Sequence, residues 1–203
     1  MGTELTGTKV SLEGTTIDLT TGGATLQGLT IDNPRGYSSD YAFYLEEVTV
    51  AIDLASLKNP VIVLKEVVVR GSRLNAEQKG ETSNLSDILA NVKANSKTAD
   101  TTGQEQPAGE SAEIRLALNR FVFANTKAQL ITETEGTRTI KVPDVRRKNI
   151  GNANKGLTPE QLGDDLLQAM LEEVEAAVAD YIADLAKEAL KDKIRKEIGF
   201  PRK

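Results

Sequence analysis

Four times between residues 9 and 125, a run of alternating apolar and polar residues slips by one position. Alternation with a period of two marks a strand with one buried face. A one-residue slip turns every later side chain to the opposite face unless the backbone bends or takes up an extra residue. The slips fall at Gly14 in KVSLEGTTIDLT, at Gln27-Gly28 between Leu26 and Leu29, at Glu46-Glu47 in AFYLEEVTVAIDL, and at Asn119-Arg120 between Leu118 and Phe121. Read as bulges, they predict a sheet that bends strongly.

The strands read as residues 9–20, 24–32, 42–54, 61–70, 113–125, 128–134 and 137–142, with a hairpin signal at Thr21-Gly22-Gly23. GSRLNAE continues the 61–70 strand or forms a short edge. Within that strand Val61, Val63, Val67 and Val69 alternate with Ile62, Leu64 and Val68, so both of its faces should be covered. Asn33-Pro34 closes one strand and begins a polar crossing loop, because proline has no N–H for the ladder. Val142-Pro143 ends the sheet, and DVRRKNIGNANKG reads as a connector.

Two helices are expected. Leu85, Ile88, Leu89 and Val92 give a stripe over 84–95, capped by Ser83 or Asn84. Residues 96–112 lack an apolar period and read as a flexible loop. Thr158-Pro159-Glu160-Gln161 supplies an N-cap, a proline at the first helical position and a capping-box glutamine. Apolar residues then recur from Leu162 to Ile198, and Gly199 and Pro201 terminate the run. Forty residues would extend about 60 Å, and a break near Gly163 or Lys191 is left open. The expected fold is therefore α+β: a strongly curved, bulged antiparallel sheet of six to eight strands over 3–150, holding the short helix and the loop, with a long helix over 157–199 packed along one face.

Composition restricts the chemistry. Among 203 residues there is no cysteine and no histidine, which removes disulfides, thiolate nucleophiles, the usual general base and the usual zinc ligands. A net charge of −5 with dispersed basic residues gives no footprint for nucleic acid. No catalytic, cofactor-binding or metal-binding residue is assigned. Glu46-Glu47 should point to opposite faces of a strand and so cannot share a proton. Asp164-Asp165 lies in the first turns of the long helix, where negative charge complements the dipole.

Two binding features are expected instead. Val48, Val50, Ile52, Val61, Val63 and Val67 on the sheet, with Leu167, Met170, Leu171, Val174 and Val178 on the helix, are candidates to line a hydrophobic groove. Arg146, Arg147 and Lys148 could hold an anionic headgroup, although a solvated connector accounts for them more simply. The basic C-terminal segment similarly suits a helix dipole better than a membrane surface. The helix stripe either covers the sheet or forms a partner interface; its doublets favour a broad surface over a coiled-coil seam.

Asn33-Pro34-Arg35-Gly36-Tyr37, Asp53-Leu54-Ala55-Ser56-Leu57, Glu77 and Asn84-Leu85 occur in an order that resembles the N-terminal unit of AsmA-like proteins, over roughly residues 8–95. The proline usual ahead of the last strand segment is replaced by Gly71-Ser72. IKVPDVRRKNIG and GLTPEQL resemble the tail of small AsmA-related proteins. The resemblance implies an N-terminal membrane anchor upstream of this sequence, and the opening MGTELTGTKV reads as a cut end with Met1-Gly2 added. It also implies attachment to the bacterial inner membrane, a periplasmic location and a groove-forming sheet of the kind found in bridge-like lipid-transfer proteins. The functional expectation is a non-enzymatic protein of envelope lipid handling or outer-membrane maintenance, whose hydrophobic groove takes lipid acyl chains. The alternative is an assembly module whose long helix binds another protein or a second copy.

Overall fold

The computed structural model describes residues 2–101, 114–133 and 136–198. Its elements run α1 (Gly2–Thr6), β1 (Val10–Ser11), β2 (Gly14–Asp18), β3 (Gly23–Asp32), β4 (Tyr41–Ile52), a 3₁₀ turn (Leu54–Lys58), β5 (Val61–Lys79), β6 (Thr82–Ser83), α2 (Asn84–Thr101), β7 (Arg115–Phe123), β8 (Lys127–Thr132), β9 (Gly136–Lys141), β10 (Val145–Ile150) and α3 (Pro159–Ile198). The α+β class, the curvature and the long C-terminal helix agree with the sequence reading.

The 19-residue β5 is the spine of the sheet. On one side it pairs antiparallel with β4, which pairs with β3. On the other side its first half pairs with β7 and its second half with β8. Both of those pairings are parallel, so the sheet is mixed and not wholly antiparallel as expected. The reason is the crossover: after β5 the chain turns through β6 and α2 and re-enters beside Val61, so that Val61 lies opposite Arg115. The sheet has ten strands among the described residues, beyond the six to eight expected.

Two of the differences concern segment ends. Residues 145–150 are not a connector but the edge strand β10, with Val145 opposite Phe123 and Ile150 opposite Leu118. Its arginines and lysine hid it, yet charge suits an edge that must not recruit further strands. Helix α2 runs through Thr101, so residues 96–101 are helical and not loop; once started, a helix propagates over polar residues such as Ser96-Lys97-Thr98. The rest of the expected loop, 102–112, lies outside the described residues.

The slips at Gln27-Gly28 and Glu46-Glu47 have a common origin. Gln27 faces Glu47 and Leu29 faces Leu45, so the register is unbroken and Gly28 stands opposite Glu46. By the same reasoning Glu46 stands opposite Gly71, and Gly71 opposite Asn125. Gly28, Gly71 and Asn125 all have left-handed φ, at 62°, 67° and 56°. At Gln27-Gly28 and Glu46-Glu47 there is consequently no extra residue, contrary to the bulge reading. A row of left-handed residues creases the sheet instead. A second crease passes through the register shift at Ala51/Ile52, the ladder gap at Asn119, and Asn149 at φ 56°. The creases keep Leu26, Leu29 and Ile31 on one face, together with Leu64, Val67, Val69, Leu74 and Ala76. A Cβ at Gly71 would lie 2.7 Å from the Glu46 carboxylate. Gly71→Ala is expected to cost about 2 kcal/mol through this contact and the left-handed backbone, read by chemical denaturation.

The concave face is covered by α2 and by the first half of α3, and all three contribute to one core. The α3 cap is as expected: the Gln161 amide N–H donates to Thr158 Oγ1 at 3.2 Å and the Thr158 N–H to Gln161 Oε1 at 3.0 Å. The helix is continuous from Pro159 to Ile198, without a break at Gly163 or Lys191. An added Cβ at Gly163 meets nothing within 4 Å. Gly163→Ala should therefore raise stability by about 1 kcal/mol, measured as a shift in the denaturation midpoint. Ser72, 1% exposed, has a hydroxyl with no hydrogen-bond partner among the described residues. Ser72→Ala should raise stability by about 1 kcal/mol in the same assay.

Candidate functional site

The groove candidates divide into three groups. Val48 and Val67 on the sheet are buried in the same core as Leu167, Met170, Leu171, Val174 and Val178 on α3, and Val50 and Ile52 pack at its margin. Sheet and helix therefore meet, with the helix filling the trough over this stretch. Val61 is buried at the far end of the sheet, near the loop at Gly156. Val63 is half-buried and alternates with Leu64, whose side chain is in the core. These last two are not brought into the trough, because the second crease separates Val63 from Val67.

Open space begins where α3 leaves the sheet. A cleft of about 300 Å³ lies between the β8–β9 hairpin and the helix, walled by Leu130, Thr132, Arg138, Tyr181, Ile182 and Leu185. A second, of about 270 Å³, lies between α2 and the helix, walled by Ala76, Leu85, Ser86, Glu175, Val178 and Ile182. Ile182 and Leu130 border both. Burial pushes the Glu175 carboxyl up from its usual range, and Lys93 opposes this in part. None of Leu130, Tyr181, Ile182 or Leu185 was among the groove candidates. The signal for two of them was present in the stripe, which continues past Val178.

At this same end, the polar loop after Asn33-Pro34 is held by a clasp. The Asn33 amide donates to the Ser39 carbonyl at 2.6 Å. Asn84, fully buried, donates to Asn33 Oδ1 at 2.6 Å and to the Asn75 carbonyl at 2.7 Å, while its own oxygen accepts the Glu77 N–H at 2.8 Å. The Glu77 carboxylate accepts the Ser38 N–H at 2.8 Å, the Ser39 N–H at 3.1 Å and both hydroxyls at 3.1 Å. Burial alone would raise the Glu77 carboxyl, but these donors outweigh it and hold it below the usual range. Tyr37 donates to Asp87 at 2.7 Å, and Lys79 to the Gly36 carbonyl at 3.0 Å. Helix α2 is capped by Ser83, whose hydroxyl accepts the Ser86 N–H at 3.0 Å. The Asp53 motif is structural too: Asp53 accepts the Ala55 N–H, and Ser56 bridges the Asp53 carbonyl to the Val63 N–H.

The basic run does not form one cluster. Arg146 stands opposite Val122, Arg147 opposite Phe121 and Lys148 opposite Arg120, so successive side chains leave opposite faces of β10. Arg146 pairs with Asp144 at 2.9 Å. The acidic pairs also differ from expectation in one respect. Glu46 and Glu47 are both exposed and border the same polar depression, of about 460 Å³, with Glu13, Gln27 and Arg70, because the first crease suspends alternation there. Asp164 is buried; Asp165 is exposed to solvent yet partly desolvated by its surroundings, and this desolvation, then the Asp164 charge, raises the Asp165 carboxyl. Among the described residues no group of three Asp or Glu is placed to hold a metal ion, and no helix is long and apolar enough to cross a membrane.

These features define a class by shape: a creased α+β trough, stoppered by its own terminal helix and locked at one end by a polar clasp. Comparison with protein-family models and with curated proteins finds no match.

Proposed function

We propose that the protein is a non-enzymatic, AsmA-like component of the bacterial envelope that handles lipid acyl chains, facing the periplasm and attached to the inner membrane by a segment upstream of this sequence. One observation carries the reading. A continuous aliphatic concave face is closed chiefly by two helices and opens, at the point where α3 departs, into two clefts flanking Ile182. Their volumes lie near the lower end of the roughly 300–1,000 Å³ usual for small-molecule pockets. Support for the resemblance comes from the clasp, since Asn33, Glu77 and Asn84 converge on one network. In this reading an acyl chain enters beside Ile182 and extends along the trough as α3 shifts. Native mass spectrometry of the protein extracted with its membrane should find bound lipid, and a fluorescent fatty acid should be taken up. Ile182→Arg, at a position 39% exposed, should abolish uptake while leaving the fold intact. Absence of both co-purified lipid and uptake would count against the proposal.

A second reading, an assembly module, is favoured by the distal part of α3. From Ala183 onward only Leu185 is even half-buried among the residues whose side chains are described, and Leu190 and Ile194 are 59% and 44% exposed. From Ala186 to Arg195 every side chain is exposed, about 15 Å of stalk.

A further inference from the structure

We propose that the stalk of α3 pairs antiparallel with the stalk of a second copy of this chain, each tip docking at the clefted base of the other; this rests on the assembly reading and names its partner. The stalk and its base carry Ile182, Ala186, Leu190 and Ile194 at intervals of four, flanked by Leu185 and Ala189. Together they give a broad apolar face in which the alanines permit close approach. Nothing of the described chain covers Leu190 or Ile194.

Charge selects the partner and its direction. Residues 160–184 contain eight acidic side chains (Glu160, Asp164, Asp165, Glu172, Glu173, Glu175, Asp180, Asp184) and no basic one. Residues 187–197 contain five basic side chains against three acidic ones. The clefts at the stalk base are themselves bordered by Glu81, Glu133 and Glu175, with Arg138 the only Lys or Arg in either lining. Antiparallel overlap of Ile182–Ile198 sets residues 191–197 of each copy, with four basic and two acidic side chains, against residues 183–189 of the other, with two acidic and one basic, and turns the tip toward the acidic cleft rims. Parallel overlap would stack tip on tip and base on base. An anionic membrane fits less well, because the stalk bears a small positive excess and its base is acidic.

The geometry is closed and twofold. Leu190 lies at the midpoint of Ile182–Ile198 and so meets its own mate across the axis. Ile194 of each copy then lies opposite the other copy's Ala186, one turn from Ile182 and the two clefts. A seam about 25 Å long, extended where each tip meets the other copy's clefts, has to bury roughly the 1,000 Å² expected of a specific contact. A micromolar dimer is the expected result.

Because the chain has no cysteine, single substitutions report the register without background. Sedimentation equilibrium should show a monomer–dimer transition that weakens as salt is raised. Mild oxidation should link Leu190→Cys into a dimer. It should not link Ile194→Cys, whose mate is displaced about 12 Å along the seam. The double variant Leu190→Glu with Ile194→Glu, at two exposed positions, should weaken the dimer at least tenfold with helix content unchanged by circular dichroism. Ile194→Cys linking as readily as Leu190→Cys would overturn the antiparallel register. Binding of the monomer to anionic vesicles through the stalk, without dimer, would overturn the choice of partner. In the full-length protein, cross-linking from position 190 to a different chain would overturn self-pairing and keep the assembly reading. A monomer with no cross-link of either kind overturns both.

Discussion

Val174→Asp is expected to leave the protein largely unfolded in buffer. Val174 has no exposed surface and lies in the core between α3 and the sheet, with Leu171 one turn away in the same state. An aspartate there must either ionise without a partner or fold protonated, with its polar atoms unsatisfied. The loss of aliphatic packing adds to this cost. A penalty above about 4 kcal/mol would consume a large share of the 5–15 kcal/mol typical of a domain, and most of it at the lower end of that range. Circular dichroism and thermal scans should show lost cooperativity, with partial recovery at acid pH where the carboxyl is protonated. A variant with a wild-type transition would mean that α3 does not occupy the trough. The proximal half of α3 is thus structural in the first instance, and interface tests belong at exposed positions such as Leu190.

Glu77→Gln is expected to cost about 2 kcal/mol at neutral pH and to alter the acid limb of the stability curve. The carboxylate accepts from two backbone N–H groups and two hydroxyls. A glutamine keeps one acceptor oxygen and turns an NH₂ toward the same donors, leaving them unpaired. Because the folded-state carboxyl titrates below the ordinary glutamate value of 4.5, ionised Glu77 adds stability that is fully present above that value. The contribution is lost as pH falls through the folded-state value. Wild-type stability should therefore decline on acidification below about pH 4.5, and Glu77→Gln should start lower and decline less over that window. Urea titrations at several pH values measure both. Parallel curves for the two proteins would remove Glu77 from the clasp.

Much of the architecture could be read from local pattern. The alternation located β3, β4, the first half of β5, β7 and the β8–β9 hairpin, and Thr158-Pro159-Glu160-Gln161 located the start of α3. The slips marked real creases, but their cause was misread. A left-handed glycine and an inserted residue leave the same trace in a sequence, and only the partner strand's register separates them. Pairing order was not legible. Nothing in RLALNRFVF states which edge of β5 it will join, and a crossover length alone does not choose it. Strand β10 was missed because Val145 and Ile150 are its only large apolar residues. The clefts escaped for another reason: where a stripe stops being covered depends on the length of the sheet beneath it, which lies in another part of the chain. The clasp was half visible, in that Asn33, Glu77 and Asn84 stood out as motif residues while Ser38, Ser39 and Asn75 did not.

The order of elements along the chain has a consequence for biogenesis. Most of the strands that line the trough are made before the helix that covers it, because α3 begins only at Pro159. At about 5–20 residues per second, a nascent chain spends some seconds with an aliphatic concavity that only α2 covers, the period in which a holdase or a premature lipid guest would compete with α3 for that surface.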